Sequence, residues 1–528
     1  MAGRLGIDFG TSNTVLALWD PVQKQGIPLH IPDYGQITHQ GDQQASVIPS
    51  LIHYTDDGRT WIGDQIYQRG LQESPRTLRW MKRYISHRSP MKVTIDGREI
   101  TPYQAGRDFL TSVLIFTAQQ IDYEQEEVAL SVPVEAFEHY ENWLSTLAES
   151  VGMPRFRLID EPSAAALGYG ANIQPGNVYL IFDFGGGTMH ASVILIEAED
   201  RAATGRRCRV LGKAGRDIGG STIDQWLFQE ILRQNKRLDG DPLVRPISTA
   251  LLLRCQTLKE ELTDGESALI NVGSEGGLQL NAHFTRSSFE ELLDQHNLFT
   301  EIQQLIRAAV NQAIERGYKE DDIRAALMVG GSSQIPAVQR TMRQIFGRER
   351  VMFNRPLDAV ARGNAAFVAG VDFYDHIQHD YAIRFISPDK GRYDYRVVVK
   401  RGTSYPTTKP VARLAIKASH DHQEQLGLAI FEMGEQRQQS GPAVELVFDP
   451  SGAARLSQVA LHDQEQRSLF WMNENQPTFL EANPPGLQGE SRFEVEFNID
   501  ANKRLLITAR DIKTGMLQYH DHPVVKLT

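Results

Sequence analysis

"LIFDFGGGTMHASVI", residues 180–194, decides how this chain folds. An apolar run reaches Asp183, and Phe184 leads into Gly185, Gly186 and Gly187. After Thr188, Met189 and His190 a second apolar run begins. Two strands joined by a glycine turn are expected. The same pattern opens the chain in "LGIDFGTSNTVLAL", residues 5–18, where Phe9, Gly10, Thr11, Ser12 and Asn13 follow Asp8. The two aspartates lie 175 positions apart (183 − 8), so one hairpin type occurs twice at a domain-sized interval.

One such stretch is an ordinary hairpin turn. Two matched copies point to a nucleotide cleft. Turns of glycine, serine and threonine leave backbone N–H groups open to a ligand, and two facing turns grip a phosphate chain from both sides. Aspartates at the strand ends suit a magnesium ion, which binds few carboxylates directly and keeps several waters. No G-x-x-x-x-G-K-[ST] occurs and no G-x-G-x-x-G follows a strand, so neither a P-loop nor a dinucleotide fingerprint competes.

A chain of 528 residues is too long for one core, and about 150 residues per domain suggests three or four units. The composition, 41% apolar and 23% charged, is that of a folded globular protein. The net charge of −11 argues against nucleic acid as a partner, because phosphate neutralisation needs a basic surface. Cys208 and Cys255 cannot build a disulfide framework or a four-thiolate metal site, which favours a reducing compartment. The start, "MAGRLGIDFG", shows no secretory h-region, and no apolar run approaches the ~18 residues of a membrane span. A cytoplasmic location without membrane contact is the expectation.

Taken together with other stretches, these hairpins resemble the DnaK-type chaperones of the heat shock protein 70 family. The resemblance is carried by "LGIDFGTSNTVLAL", "LSVPVEAF", "LIDEPSAAALGYG", "FDFGGGT", "TRSSFEELLD", "LMVGGSSQIPAVQ" and "FEVEFNIDANKRLLITARDIKTG", in family order. It implies an α/β, actin-like (duplicated ribonuclease H-like) ATPase domain of two lobes over residues 1–372. A linker over 373–385 and an all-β sandwich that binds peptide over 386–528 complete the expected order. The implied activity is hydrolysis of ATP with Mg2+, slow if the changes below matter, coupled to binding extended apolar segments of unfolded proteins. Roles in protein folding and the stress response are implied, as are a J-domain co-chaperone and a nucleotide exchange factor.

By the same resemblance the first phosphate loop is Gly10, Thr11, Ser12 and Asn13, and the second is Gly185, Gly186, Gly187 and Thr188. Lys82, in "RWMKRYIS", matches the family's phosphate-contacting lysine, and Glu161 its magnesium-linked carboxylate; Asp8 and Asp183 complete the acidic set. Asp183 would orient the attacking water, with Lys82 and Thr188 beside it, since phosphoryl transfer asks mainly for positioning and charge stabilisation. Alone, Lys82 reads as a solvated helix lysine and Glu161 as a carboxylate at a helix N-terminus. The remaining nucleotide contacts are implied at Gly219 and Gly220, at Gln256, Lys259, Glu260 and Thr263, and at Gly330, Gly331, Ser332, Ser333 and Gln334.

Three departures stand out. His190 replaces an aspartate that helps bind a monovalent cation and orders waters around magnesium, so both functions should weaken. Glu260 and Gln334 stand where the family has arginines stacked on adenine, each worth on the order of 0.5–2 kcal/mol. The linker region "VDFYDHIQHDYAIRF" is polar rather than leucine-rich. His190, Glu260 and Gln334 favour an alternative reading, a nucleotide-gated binding or regulatory protein with weak or no ATP hydrolysis. A C-terminal β-domain argues against a small-molecule kinase or a filament former.

From Gly370 onward, period-two strands replace helices. "FEVEFNID" puts Phe493, Val495, Phe497 and Ile499 on one face, and "RLLITARD" returns after "DANK". The segment from Gly434 to Gln476, which contains Trp471, departs from the family and is expected to be a peripheral insertion. After "DIKTG" (511–515) residues 516–528 remain, too few for a helical lid, so a lidless form is expected. "TRSSFEELLD" reads as a capping box with Ser287 as N-cap and Glu290 three residues on, opening one long amphipathic helix.

Overall fold

The computed structural model describes residues 3–40, 43–119, 121–123, 126–133, 138–153, 156–170, 176–197, 207–273, 277–369, 373–374, 377, 379–386, 393–403, 405, 407, 409–433, 443–448, 454–459, 469–474, 477–500 and 504–527. They belong to two compact units. The first comprises Met1–Val134, Trp143–Tyr374 and Val444–Gln458; the second comprises Glu135–Asn142, Asp375–Ala443 and Val459–Thr528.

Within the first unit, mixed α/β in character, two sheets repeat one plan. In the first sheet Leu5–Phe9 pairs parallel with Val128–Val132 and antiparallel with Asn13–Asp20. In the second, Val178–Phe184 pairs parallel with Ile323–Val329 and antiparallel with Met189–Glu197. The repeat visible in sequence is thus a repeat of strand pairing. All seven residues of Val178–Phe184 are buried, as a strand covered on both faces requires, which is why its sequence runs apolar without alternation.

Two helices meet with almost no side chain between them. Glu161–Tyr169 follows the edge strand Phe156–Asp160, and Ala359–Val368 packs against it. A Cβ on Gly168 would lie 1.8 Å from the carbonyl oxygen of Ala359, and one on Gly363 would lie 1.6 Å from that of Ala164. Only glycine permits this approach, and each helix supplies one.

The capping box falls two residues earlier than expected. Thr285 is the N-cap: its hydroxyl accepts from Ser288 N at 3.1 Å, and Ser288 Oγ accepts from Thr285 N at 3.0 Å. Thr285 is the last residue of the strand Gln279–Thr285 and is still extended (φ −93°, ψ 161°), so it already has the geometry an N-cap needs and Ser287 falls inside the first turn. The long helix is two, Arg286–Gln295 and Leu298–Glu315, because Asn297 between them is left-handed (φ 58°).

In the second unit, strands carry the described core. One four-stranded sheet runs Tyr393–Val399, Asp380–Ile386, Ile430–Met433, Leu469–Trp471, and another runs Ala412–Lys417, Ser491–Ile499, Arg504–Asp511, Leu517–Lys526. Phe493, Val495, Phe497 and Ile499 are buried in one apolar core with Leu505, Ile507 and Ala509, so the alternation does set the buried face. Of the stretch 373–385, Phe373–Tyr374 pairs with Cys208–Arg209, and residues 380–385 belong to the strand Asp380–Ile386. The segment 434–476 is described only in part. Gly434 and Gln476 lie outside the described residues, but its far end is not peripheral. Trp471 pairs with Phe431, stacks on it at 5.7 Å between ring centroids, and carries the Arg384 guanidinium 4.6 Å above its ring. Within the other sheet, the fully buried Arg492 pairs with Asp511 of the neighbouring strand at 2.7 Å.

Candidate functional site

The two glycine turns of the first unit face each other. A Cβ on Gly186 would meet Ser12 Oγ at 2.4 Å, and one on Gly187 would meet Thr11 Oγ1 at 2.5 Å. Both turns open on a cleft of about 1070 Å³. Each turn is held from behind. Ser50, which the sequence reading missed, donates from N to Ser12 O and from Oγ to Gly10 O, both at 2.8 Å. On the other side Gly220 N donates to Gly185 O at 3.0 Å and Ser221 N to Gly186 O at 2.8 Å, while Ser332 Oγ donates to Gly185 O at 3.0 Å.

Between the turns lies a buried charged group. Lys82, on the helix Met81–Ser86, is ion-paired to Glu161 Oε1 and lies 3.9 Å from Asp8 Oδ1. That helix starts at Trp80, a buried residue in the left-handed region (φ 57°), and the chain bends there to aim Lys82 inward. Glu161 opens its helix behind Asp160, which caps Ser163 N at 3.0 Å and pairs with Lys213 at 2.8 Å. The helix-end position considered for Glu161 is therefore real, and the carboxylate also faces the cleft.

Burial pushes the Asp8 carboxyl up to about 6, with Glu161 adding to the rise while Lys82 and a 3.0 Å hydrogen bond from Ser131 Oγ oppose it. Burial raises Asp183 well above the usual carboxylate range, and the neighbouring Glu161 and Asp8 push the same way. Around Asp183 the carboxylates outnumber the one ammonium, that of Lys82, and a cation would offset the excess.

Among the described residues, one group of His, Cys, Asp and Glu side chains has ligand atoms that converge: Glu161, Asp183 and His190, all within 4.8 Å of one another. The expected acidic set held Asp8 in place of His190. Asp183 and His190 are directly opposite in the antiparallel hairpin, so their side chains share a face of the sheet. Two oxygen donors and the facing cleft fit a divalent cation that keeps open positions.

The remaining expected contacts also gather here. Gln256, Lys259, Glu260 and Thr263 line the cleft from the helix Ser248–Asp264, and Gly330, Gly331, Ser332 and Gln334 line it opposite. Lys259 is committed to Asp224 at 2.7 Å, and Gln256 Nε2 donates to Glu260 Oε1 at 3.3 Å. Two expected residues support the wall rather than line it. Ser333 Oγ donates to Gly330 O at 2.6 Å, and Gly219 packs under the second turn. Arg254, which the sequence reading passed over, also lines the cleft, but Glu261 holds its guanidinium at 2.7 and 2.9 Å. No described helix is long and apolar enough to cross a membrane.

A family model described as Hsp70 protein matches residues 86–440. That is 355 of 528 residues (440 − 86 + 1), and the chain belongs to the Hsp70 family.

Proposed function

We propose that this member of the Hsp70 family is a DnaK-type chaperone. It would bind and slowly hydrolyse ATP in the cleft and couple nucleotide state to the holding of extended apolar peptide segments. Membership supports an ATP-binding chaperone role in general terms. The observation that carries the finer reading is the pair of facing turns, Gly10–Asn13 and Gly185–Thr188, around Lys82, Asp8, Glu161 and Asp183. Backbone N–H groups of both turns would hold the phosphates, and Lys82 would leave Glu161 for the terminal phosphoryl group. Asp8, Glu161 and Asp183 offer oxygens to a hydrated magnesium ion, which neutralises phosphate charge when bound. Asp183 would orient water once a cation has lowered its raised carboxyl, with Thr188 beside it.

In this reading residues 1–372 form an actin-like ATPase domain of two lobes, 373–385 the linker and 386–528 a β-sandwich that takes the peptide. The two sheets of one plan and the strand-built second unit support it. Unfolded peptide segments, a J-domain co-chaperone and a nucleotide exchange factor are the expected partners, in the cytoplasm.

A second reading, nucleotide gating with little or no hydrolysis, is favoured by His190 at the cation position and by the two cleft residues Glu260 and Gln334. Single-turnover hydrolysis of ATP by the full chain separates the two. Lys82→Ala should keep nucleotide binding measurable and slow hydrolysis by roughly tenfold or more, about 1.4 kcal/mol of barrier. Hydrolysis unchanged in both Lys82→Ala and Asp183→Asn would discard the assignment of these residues, and absence of turnover in the unmodified chain would select the gating reading.

A further inference from the structure

The buried group at the cleft floor differs in kind from an all-oxygen cation site. Its three converging donors are a carboxylate from a helix start (Glu161), a carboxylate on a strand (Asp183) and the imidazole directly opposite on the paired strand (His190). All three residues are buried, His190 completely, so the ring is fixed by the strand pair and cannot swing to solvent. Lys82 engages Oε1 of Glu161, which leaves that carboxylate its second oxygen.

We propose that His190 makes this a mixed nitrogen–oxygen site that takes a first-row transition ion of the cobalt-to-zinc kind in preference to magnesium. The inference rests on the reading of the cleft as a cation-assisted nucleotide site. Magnesium and potassium are hard ions that want oxygen, whereas imidazole is a good donor to later transition ions. Three protein donors leave positions open, which is the form of a catalytic rather than a closed structural ion site. Local charge favours occupancy by some cation: Asp8, Glu161 and Asp183 face the single ammonium of Lys82 among the groups that bear on Asp183. The ion would join two elements already packed together, the helix Glu161–Tyr169 and the hairpin that carries the second glycine turn.

Cobalt absorption tests this on the full-length, nucleotide-free chain. Titration with Co2+ should give a visible ligand-field band that saturates at one ion per chain, and an equal concentration of Mg2+ should leave it in place. In His190→Gln the same titration should show Co2+ affinity lower by roughly tenfold or more, with a shifted band. His190→Asp should bind Mg2+ and Co2+ with affinities closer together. Displacement of the band by equimolar Mg2+ in the unmodified chain would overturn the proposal without needing any variant to fold. So would an unchanged affinity and spectrum in a folded His190→Gln. ATP binding measured by calorimetry with each ion separates the two levels: a saturable Co2+ band that depends on His190, with no ATP binding, would retire the nucleotide reading and support the ion site.

Discussion

Arg83 and Ser221 are joined by a buried hydrogen bond across 138 positions of sequence. The same Nη1 also reaches Thr222 Oγ1 at 3.1 Å. Arg83 adjoins Lys82, and Ser221 N holds the second glycine turn through Gly186 O, so one guanidinium ties the lysine helix to the turn it faces. Arg83→Met should lower stability by about 1.5–3 kcal/mol, the cost of charge-assisted hydrogen bonds, and weaken ATP binding in parallel. Thermal unfolding and calorimetry of the same variant check both, and an effect on stability alone would show that the turn does not need this tie.

Carboxylate crowding gives a pH dependence whose sign can be stated. Asp8 titrates near 6 in the fold, above its unfolded value, so folded chain holds a proton that unfolded chain has released. This contribution is complete below about pH 4 and is lost as pH rises through 6. Asp8→Asn removes the dependence. Its stability advantage over the unmodified ligand-free chain should therefore grow from nil near pH 4 to on the order of 2–3 kcal/mol at pH 7. A saturating divalent cation should erase that advantage. Melting temperatures of both proteins across this range decide it.

Gly219 supports the second turn at backbone distance: a Cβ there would lie 2.4 Å from the carbonyl carbon of Gly187. No rotamer change relieves a clash between backbones. Gly219→Ala should push the turn away from its partner, cost roughly 1–3 kcal/mol and reduce ATP affinity about tenfold or more. Gly240→Ala, at a site with open space around the Cβ, is the control and should change neither.

In the second unit, Arg492 and Asp511 form a pair that burial makes expensive to break. Arg492→Ala leaves a buried carboxylate without its cation and should cost about 3–5 kcal/mol. Burial alone would raise Asp511, but Arg492 and the N–H groups of Thr514 and Lys513 hold it below its usual range. Its stabilisation is present above the unfolded carboxylate value and lost as pH falls through the lower folded value. Thermal unfolding of Asp511→Asn should accordingly be less acid-sensitive than that of the unmodified chain.

The hairpins, the period-two strand Ser491–Ile499 and the gathering of cleft residues from seven stretches of sequence were legible because each rests on a local signal: a glycine turn, an alternation or a motif. What was not legible depends on side chains meeting across long intervals. Ser50, Arg83 and Ser131 carry no motif, and their roles come from what the fold sets beside them. His190 was visible as a departure, but its convergence with Glu161 depends on a helix start meeting a strand 29 positions later (190 − 161). The N-cap at Thr285 was missed because a strand residue already had cap geometry, and the role of Trp471 because the segment around it carries no family pattern.

The reciprocal contact of Gly168 on Ala359 and Gly363 on Ala164 has a mechanical meaning. Where helices meet through side-chain ridges, a shifted rotamer can absorb a displacement. At these two points backbone meets backbone, so the seam has no such slack. Glu161 stands at the first residue of one of these helices, so a displacement forced at Gly168 or Gly363 would be carried to the carboxylate that Lys82 holds.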